Sequence, residues 1–438
     1  MTSQKIIRAL LFSLFFASQQ LTAQHLFTSL DDLWTYAQSK NISLKSGEIK
    51  RAQAQKGILA AQLNIIDPTL NTNSSFTNNT QLPVNLFPAE AFGGQAGTYR
   101  EIQAGVKYVT NLNQYAEVKL LNLGAWESLK LAKINIDLTA SDNKITLKNL
   151  YDNVASAYFN IVNLQEQWTS SQQNITAAET LFRTAQNRYD QGLVKQQDVN
   201  DAKASLLNTQ ESSRQLAFLI KQNELTLKVL CDIPEDDVLE IKQVIETQTS
   251  VGMPAIQLNE LTANAYYLKE KYALTNIQQI KKTELPTLSF VVSNTFQKNN
   301  TKVFDSNTNW ITSNYVGLKL GFNLPSSKSI TQKTNAQFEH QLAQKSTEHI
   351  RIKTALEHKQ LGTDYEKALS QARANQEIYA LRKDSYDKNK VLYTEGLISI
   401  DQTINSYNAM VNAHYSLISA QISVQLAQSK IDINNKIK

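Results

Sequence analysis

Chain breakers are scarce. The 438 residues include seven prolines and thirteen glycines, and these cluster in a few short stretches, so long uninterrupted helices are allowed. Cysteine is nearly missing: Cys231 is alone, which excludes an internal disulfide framework and makes a lipid-anchored cysteine near the amino terminus unexpected. The five histidines are scattered. His340, His349 and His358 fall on alternating sides of a helix, so no metal constellation is expected. The formal charge of +5 is weak and evenly spread, which argues against nucleic acid as a partner. No nucleophile elbow, phosphate loop or acid pair is present. No catalytic residue and no cofactor are therefore expected.

Long apolar runs are also missing, with one exception. Lys5 and Arg8 precede the stretch Ala9 to Ala17, and Leu21-Thr22-Ala23 has the small residue of a cleavage site. That order of charge, apolar core and small residue reads as an export signal over 1–23. The stretch is too short for a spanning helix, which needs about 20 residues. No later segment is apolar enough to cross a bilayer as a helix. Transmembrane strands escape that test because they alternate in polarity.

What is present is repetition. Leu30-Asp31-Asp32-Leu33 with Ala37 matches Leu258-Asn259-Glu260-Leu261 with Ala265. Pro68-Thr69-Leu70 matches Pro286-Thr287-Leu288. Gly105-Val106-Lys107 matches Gly317-Leu318-Lys319, and Tyr189-Asp190-Gln191-Gly192-Leu193 matches Tyr393-Thr394-Glu395-Gly396-Leu397. Four anchors recur in one order, which marks an internal repeat. The expected layout is a first repeat over 24–240, a joining segment over 241–257 and a second repeat over 258–438. Each repeat reads helix, two strands, very long helix, turn, long helix.

The first helix is expected from Leu30 to Asn64, stopped by Pro68. Strand patterning follows. Val316, Leu318, Leu320 and Phe322 alternate with Gly317, Lys319, Gly321 and Asn323; Ile102, Ala104, Val106 and Tyr108 alternate with Gln103, Gly105 and Lys107. Period two with one apolar and one polar face is a half-buried strand. The stretch 78–98, with Pro83, Pro88, Gly93, Gly94 and Gly97, reads as a loop. Residues 117–188 and 329–393 contain no proline and one glycine each, and ~70 helical residues make a rod on the order of 100 Å. Apolar positions alternate by three and four, as in Leu147, Leu150, Val154, Ala157, Ile161, Leu164 and Trp168. Val199, Ala202, Leu206, Thr209, Ser213 and Leu216 continue the rhythm. That seam packs helices side by side.

Strands and rods together pose a problem of edges. An open sheet cannot sit in lipid, because its edge groups have no water to bond to. Four strands from one chain fall below the usual minimum of about eight for a membrane barrel. Several copies must share one barrel, and three copies give an even twelve. The polar faces, with Gly105, Lys107, Gly317, Lys319 and Gly321, then look into the lumen. Ile102, Val106, Tyr108, Trp310, Tyr315, Leu318, Leu320 and Phe322 face lipid or form an aromatic belt.

With these features the chain resembles the outer-membrane efflux protein family of TolC type. The resemblance rests on Ser29-Leu30-Asp31-Asp32-Leu33 with Ala37 and Asn41, on Arg188-Tyr189-x-x-Gly192-Leu193 with Asp198-Val199 and Ala202, and on the two-copy layout. It implies a mostly α chain with a small β part, assembled as a homotrimer. Coiled-coil helices form an α-barrel tunnel through the periplasm, and a shared twelve-stranded β-barrel lies among outer-membrane lipid. It further implies a partner adaptor (a membrane fusion protein) and an inner-membrane pump of RND or ABC type, serving efflux or type I secretion. The gate and adaptor contact then fall at Arg188, Tyr189, Gly192, Leu193, Asp198, Tyr393, Gly396, Leu397, Asp401, Gln402 and Asn405. Several members of the family carry two acidic residues shortly after the second tip glycine; here those positions hold Gln402 and Asn405. A periplasmic adaptor and a non-transporting coiled-coil protein are the rival readings.

Overall fold

The computed structural model describes residues 24–241, 252–303 and 308–438. The export-signal reading lies outside these, as does most of the joining segment. The chain is mostly α with a small β part. In order it runs β1 (Gln24–Phe27), α1 (Leu30–Lys40), α2 (Ile42–Ile66), β2 (Thr69–Asn78), β3 (Val84–Pro88), a 3₁₀ turn (Ala89–Phe92), β4 (Tyr99–Gln103) and β5 (Tyr108–Leu121). It continues with α3 (Leu123–Asp190), α4 (Gln196–Cys231), β6 (Val238–Ile241), α5 (Leu261–Thr283), β7 (Thr287–Asn300), β8 (Ile311–Gly321), α6 (Ser327–Thr394) and α7 (Ile400–Lys436). The two long helices, α3 and α6, have 68 residues each. Among the described residues no helix is long and apolar enough to cross a membrane.

Two compact units form. One comprises 50–139 and 266–347 and holds an antiparallel sheet in the order β2-β5-β7-β8. Strands β2 and β5 precede the long helix α3, and β7 and β8 precede α6, so the sheet draws two strands from each half of the chain. The expected second strand is corrected here. Gly105, Val106 and Lys107 lie between β4 and β5, not in the sheet, because Gly105 adopts φ +138° and interrupts the extended run. Ile102 sits in β4, whose partner is β3 alone, opposite Asn85. The stretch 78–98 is likewise not a plain loop, since it carries β3 and the 3₁₀ turn. Residues 117–121, expected at the start of the long helix, complete β5 instead. Thr110 to Gln114 is polar on both faces and shows no period-two pattern; pairing to β2 and β7 makes it a strand.

The other unit comprises 24–49, 140–241, 252–265 and 348–438 among the described residues. Strand β1 pairs parallel with β6. The helix expected from Leu30 to Asn64 breaks at Asn41, whose backbone (φ −57°, ψ 125°) leaves the helical region. Asn41 begins a new helix by capping it: its Oδ1 accepts from the N–H groups of Ser43 (2.9 Å) and Leu44 (3.2 Å), and its amide donates to the Leu230 carbonyl. Short polar side chains do this at helix starts. The core gathers Leu33, Trp34, Val154, Tyr158, Ile161, Leu227 and Ile433. Trp34 stacks on Tyr151 at 5.0 Å and donates to its carbonyl. Most of the three-four seam of α4 is turned inward: Val199, Ala202, Leu206, Ser213, Leu216 and Leu227 are buried, and Thr209 is half-buried.

Truncating Leu227 to alanine leaves a void in this core. The expected cost is about 3 kcal/mol, read from guanidinium unfolding by circular dichroism. A loss below about 1 kcal/mol would contradict the packing described.

Candidate gate and channel residues

Two turns join the long helices to their successors, and they are built alike. Gly192 and Gly396 adopt φ +73° and +80°, a conformation that costs glycine nothing. At the first turn the Leu193 N–H reaches the Arg188 carbonyl (2.9 Å) and the Gly192 N–H reaches the Tyr189 carbonyl (2.8 Å). At the second, Leu397 reaches Leu392 (2.9 Å) and Gly396 reaches Tyr393 (3.0 Å). This double closure of the last helical turn is the Schellman motif. Leu193 and Leu397 occupy equivalent places and are both exposed.

The helices that follow are also capped alike. The Asp198 carboxylate accepts from the Lys195 N–H at 2.8 Å. Gln402 accepts from the Ser399 N–H, and the Ser399 hydroxyl accepts from the Gln402 N–H, both at 3.3 Å. Asp198 and Gln402 are thus the third residues of α4 and α7, each reaching back over its own helix start. Asp401 and Asn405 are exposed on α7. With Asp201, Asn208, Asn408 and Asn412 they line a groove between α4 and α7.

The symmetry fails at one residue. Arg188 extends from the end of α3 to the end of α6, where its guanidinium donates to the carbonyls of Tyr393 and Thr394 (3.2 Å to the latter) and lies 5.2 Å from the Tyr393 ring. A cation on the last carbonyls of a helix meets the negative end of its dipole. The guanidinium fork can hold two acceptors and a ring face at once. A side chain at position 396 would strike the guanidinium, at 2.9 Å from its nitrogen. Leu392 stands where Arg188 stands in the first copy, so Tyr189 is left exposed while Tyr393 is buried. Below the turns Leu181, Ala185, Ala202, Tyr393 and Ile400 form one small core, and Ala178, Leu206, Tyr386 and Tyr407 the next. Burial pushes the phenols of Tyr386, Tyr393 and Tyr407 above their ordinary range.

In the sheet, directly paired residues share a face. One face carries Leu70, Ala116, Val292 and Val316 in one row, and Val118, Phe290 and Leu318 in another. Tyr108 lies on this face and stacks with Phe76. Trp310 and Phe322 flank β8 and are exposed. The other face carries Glu117, Ser289, Ser293, Asn113, Thr295 and Lys319. Lys319 pairs with Glu117 at 3.1 Å, and the Tyr115 hydroxyl donates to the same carboxylate at 2.8 Å. Tyr315 is corrected by this register: it pairs with Ser293 and shares the face of Gly317 and Lys319, not that of Leu318. The polarity is inverted relative to a water-soluble sheet. Ser289 and Ser293 of the central strand β7 are 2% and 4% exposed, whereas Val316 and Leu318 are 70% and 69% exposed.

Residues 34–231 match the family model described as outer membrane efflux protein. Over that stretch the chain is similar to outer membrane efflux proteins. Solved structures extend the likeness to nearly the whole chain. CusC superposes with a TM-score of 0.75 at 14% identity, over 96% of this chain and 95% of that one. VceC from Vibrio cholerae gives 0.74 at 14% identity, over 92% and 95%. The open state of MtrE from Neisseria gonorrhoeae gives 0.63 at 16% identity, over 93% and 88%. No curated protein sequence matches. The likenesses at these identities are of fold, and proteins of the efflux family are channels rather than enzymes.

The Arg188 contact has a measurable consequence. Arg188→Ala removes charge-assisted bonds worth about 1.5–3 kcal/mol each from the α6 terminus. Amide exchange over 394–398 is expected to rise strongly, with that of the buried Ile431 region unmoved. Unchanged exchange at the turn would show that Arg188 does not hold it.

Proposed function

We propose that the chain is one subunit of a trimeric duct in the outer membrane, extending into the periplasm. It takes substrates from an inner-membrane pump through a periplasmic adaptor and releases them outside. The observation that carries this reading is the inverted sheet. Its apolar face is exposed, its polar and ion-paired face is turned away, and both edge strands lack a partner on one side. Water penalises the exposed apolar face, which a lipid shell around a wet lumen rewards, and lipid in turn penalises the open edges unless neighbouring copies pair with them. A periplasmic adaptor has no use for such a face. A coiled-coil protein without transport accounts for the helices but leaves the sheet unexplained.

On this reading Gly317, Lys319 and Gly321 of β8 line the lumen, and Leu318 and Leu320 face lipid. Trp310, Tyr108 and Phe322 lie on the lipid side near the ends of the strands. The turns at Gly192 and Gly396, with Tyr189, Leu193, Tyr393 and Leu397, meet the adaptor. Arg188 ties the two turns together in the resting gate. Asp198 and Gln402 cap helices first, and the entrance beside Asp401 and Asn405 is polar with little charge.

The chain is expected in the outer-membrane fraction as a heat-sensitive oligomer that conducts ions in planar bilayers. Leu318→Lys places a charge against lipid and costs about 2–4 kcal/mol at the bilayer midplane, so assembled oligomer is expected to fall steeply. A mature chain that stays monomeric in water and ignores bilayers would end this reading. The entrance makes a second prediction, of weak ion selectivity in single-channel recordings. Strong cation preference that vanishes in Asp401→Asn would overturn it.

A further inference from the structure

Among the described residues, strands β2 and β8 are the two edges of the sheet, each hydrogen-bonded on one side only. We propose that β8 of one copy pairs with β2 of the next in a single register, Thr69 opposite Gly321, Leu70 opposite Leu320, and so on to Asn78 opposite Thr312. The inference rests on the channel reading above and fixes how its seam is built.

Four constraints meet in that register. The first is direction. The four strands alternate, so β8 and the following β2 run antiparallel once the sheet closes. Parity is the second. Leu70 and Phe76 of β2 lie on the apolar face, as do Val316, Leu318 and Leu320 of β8, and all are even-numbered. A slip by one residue would turn every side chain of one strand to the wrong face, so even must meet even. The third is length. Strand β2 has ten residues and β8 eleven, and only this register, among those that keep parity, pairs every residue of β2 within β8.

Shear is the fourth. A row drawn straight across the sheet passes from Thr69 to Glu117, Val291 and Gly317. In the proposed seam Gly317 faces Asn73 of the neighbouring copy, four residues along from the start after four strands. That is a stagger of about one residue per strand, whatever the number of copies. With a rise of ~3.4 Å per residue and a strand spacing of ~4.8 Å, the strands tilt by about 35°, within the usual range of closed barrels. Lowering the stagger by two residues per copy gives a tilt near ~20°, too upright for such a barrel. Raising it by two leaves the first residues of β2 unpaired.

The hand of the sheet agrees. The Asn79 N–H donates to the Lys107 carbonyl at 2.7 Å, directly beyond the last pair of β2 and β5. Odd-numbered residues of β2 therefore bond to β5. With β2 running upward and its apolar face outward, the chirality of L-residues then places β5 to its left as seen from outside. Strands that coil right-handed, as their twist dictates, make a perpendicular row climb leftward. The step from Thr69 to Asn73 has that sense.

The same geometry selects the test. Even-numbered residues of β2 turn their backbone bonds to the seam, so odd pairs are the non-hydrogen-bonded ones, whose side chains approach most closely. Ser75 and Tyr315 form such a pair in this register. Full-length chain carrying Ser75→Cys and Tyr315→Cys is oxidised mildly in outer membranes and run on a non-reducing gel, beside the pairs Asn73→Cys with Tyr315→Cys and Thr77→Cys with Tyr315→Cys. The single variants serve as controls; native Cys231 is buried. The expected result is a shift of the first pair to linked copies, with little linkage in the other two. Linkage chiefly in a neighbouring pair would overturn the register and leave the channel standing. No linkage in any pair, while the unmodified oligomer forms in the same membranes, would overturn the edge-to-edge seam. Absence of that oligomer would instead sink the proposed function.

Discussion

A sheet that ends in two open edges cannot be left in lipid, and most of what this chain does follows from that. Each edge group deprived of water and of a partner costs several kcal/mol. Strands β2 and β8 expose whole rows of such groups while their sheet presents Val316, Leu318 and Leu320 outward. The inner face is satisfied within one copy: Glu117 binds Lys319 and Tyr115, and Asn113 accepts from Ser293 and Thr295. In the proposed duct the outer face meets lipid, and the edges then need a neighbour. The single subunit is chemically complete on one surface and incomplete on the others.

The helices answer a different constraint. A 68-residue helix cannot be stabilised by propensity alone, and its packing must be continuous along its length. In the shorter α4, of 36 residues, the buried seam mixes the small and polar Ala202, Ser205 and Ser213 with Val199, Leu206, Leu216 and Leu227. Polar contacts fill the same seams elsewhere: Ser171 donates to Ser213, and Asn160 to Asn223. Such seams allow close approach but bury modest apolar area. Both turns end in the same glycine-closed motif. Arg188 then makes the two turns unequal, because one hairpin holds the carbonyl end of the other and Leu392 cannot return the contact.

The helical part was legible in the sequence because helices declare themselves locally. The three-four spacing of Val199 to Leu216 and the glycines at 192 and 396 each point to their own surroundings. The strands were less legible where their reason lies elsewhere in the chain. Tyr108 to Leu121 is a strand because β2 and β7 pair with it, and its Thr-Asn-Leu-Asn-Gln stretch has no alternation of its own. The apparent alternation of Ile102 to Tyr108 was misleading, since Gly105 breaks it at a positive φ. Tyr315 was misplaced for a simpler reason: an aromatic ring suggests a membrane belt, yet parity alone decides its face. Arg188 was visible as a candidate, but its target on the other repeat was not, because nothing in sequence spacing links residue 188 to residue 393.

Capping explains how the helix starts after the two turns can differ in charge without differing in fold. Asp198 and Gln402 hold the same third position of equivalent helices, and each closes its helix start through a side-chain oxygen. A carboxylate gains from the helix dipole there, but an amide accepts the same backbone bond and completes the capping box with Ser399. The fold therefore requires an acceptor at that position and does not require an anion. Replacing acid by amide alters the local field at the helix start while the capping bond stays intact. The charge at that position is thus free to vary, whereas Gly192 and Gly396 are fixed by the positive φ of their turns.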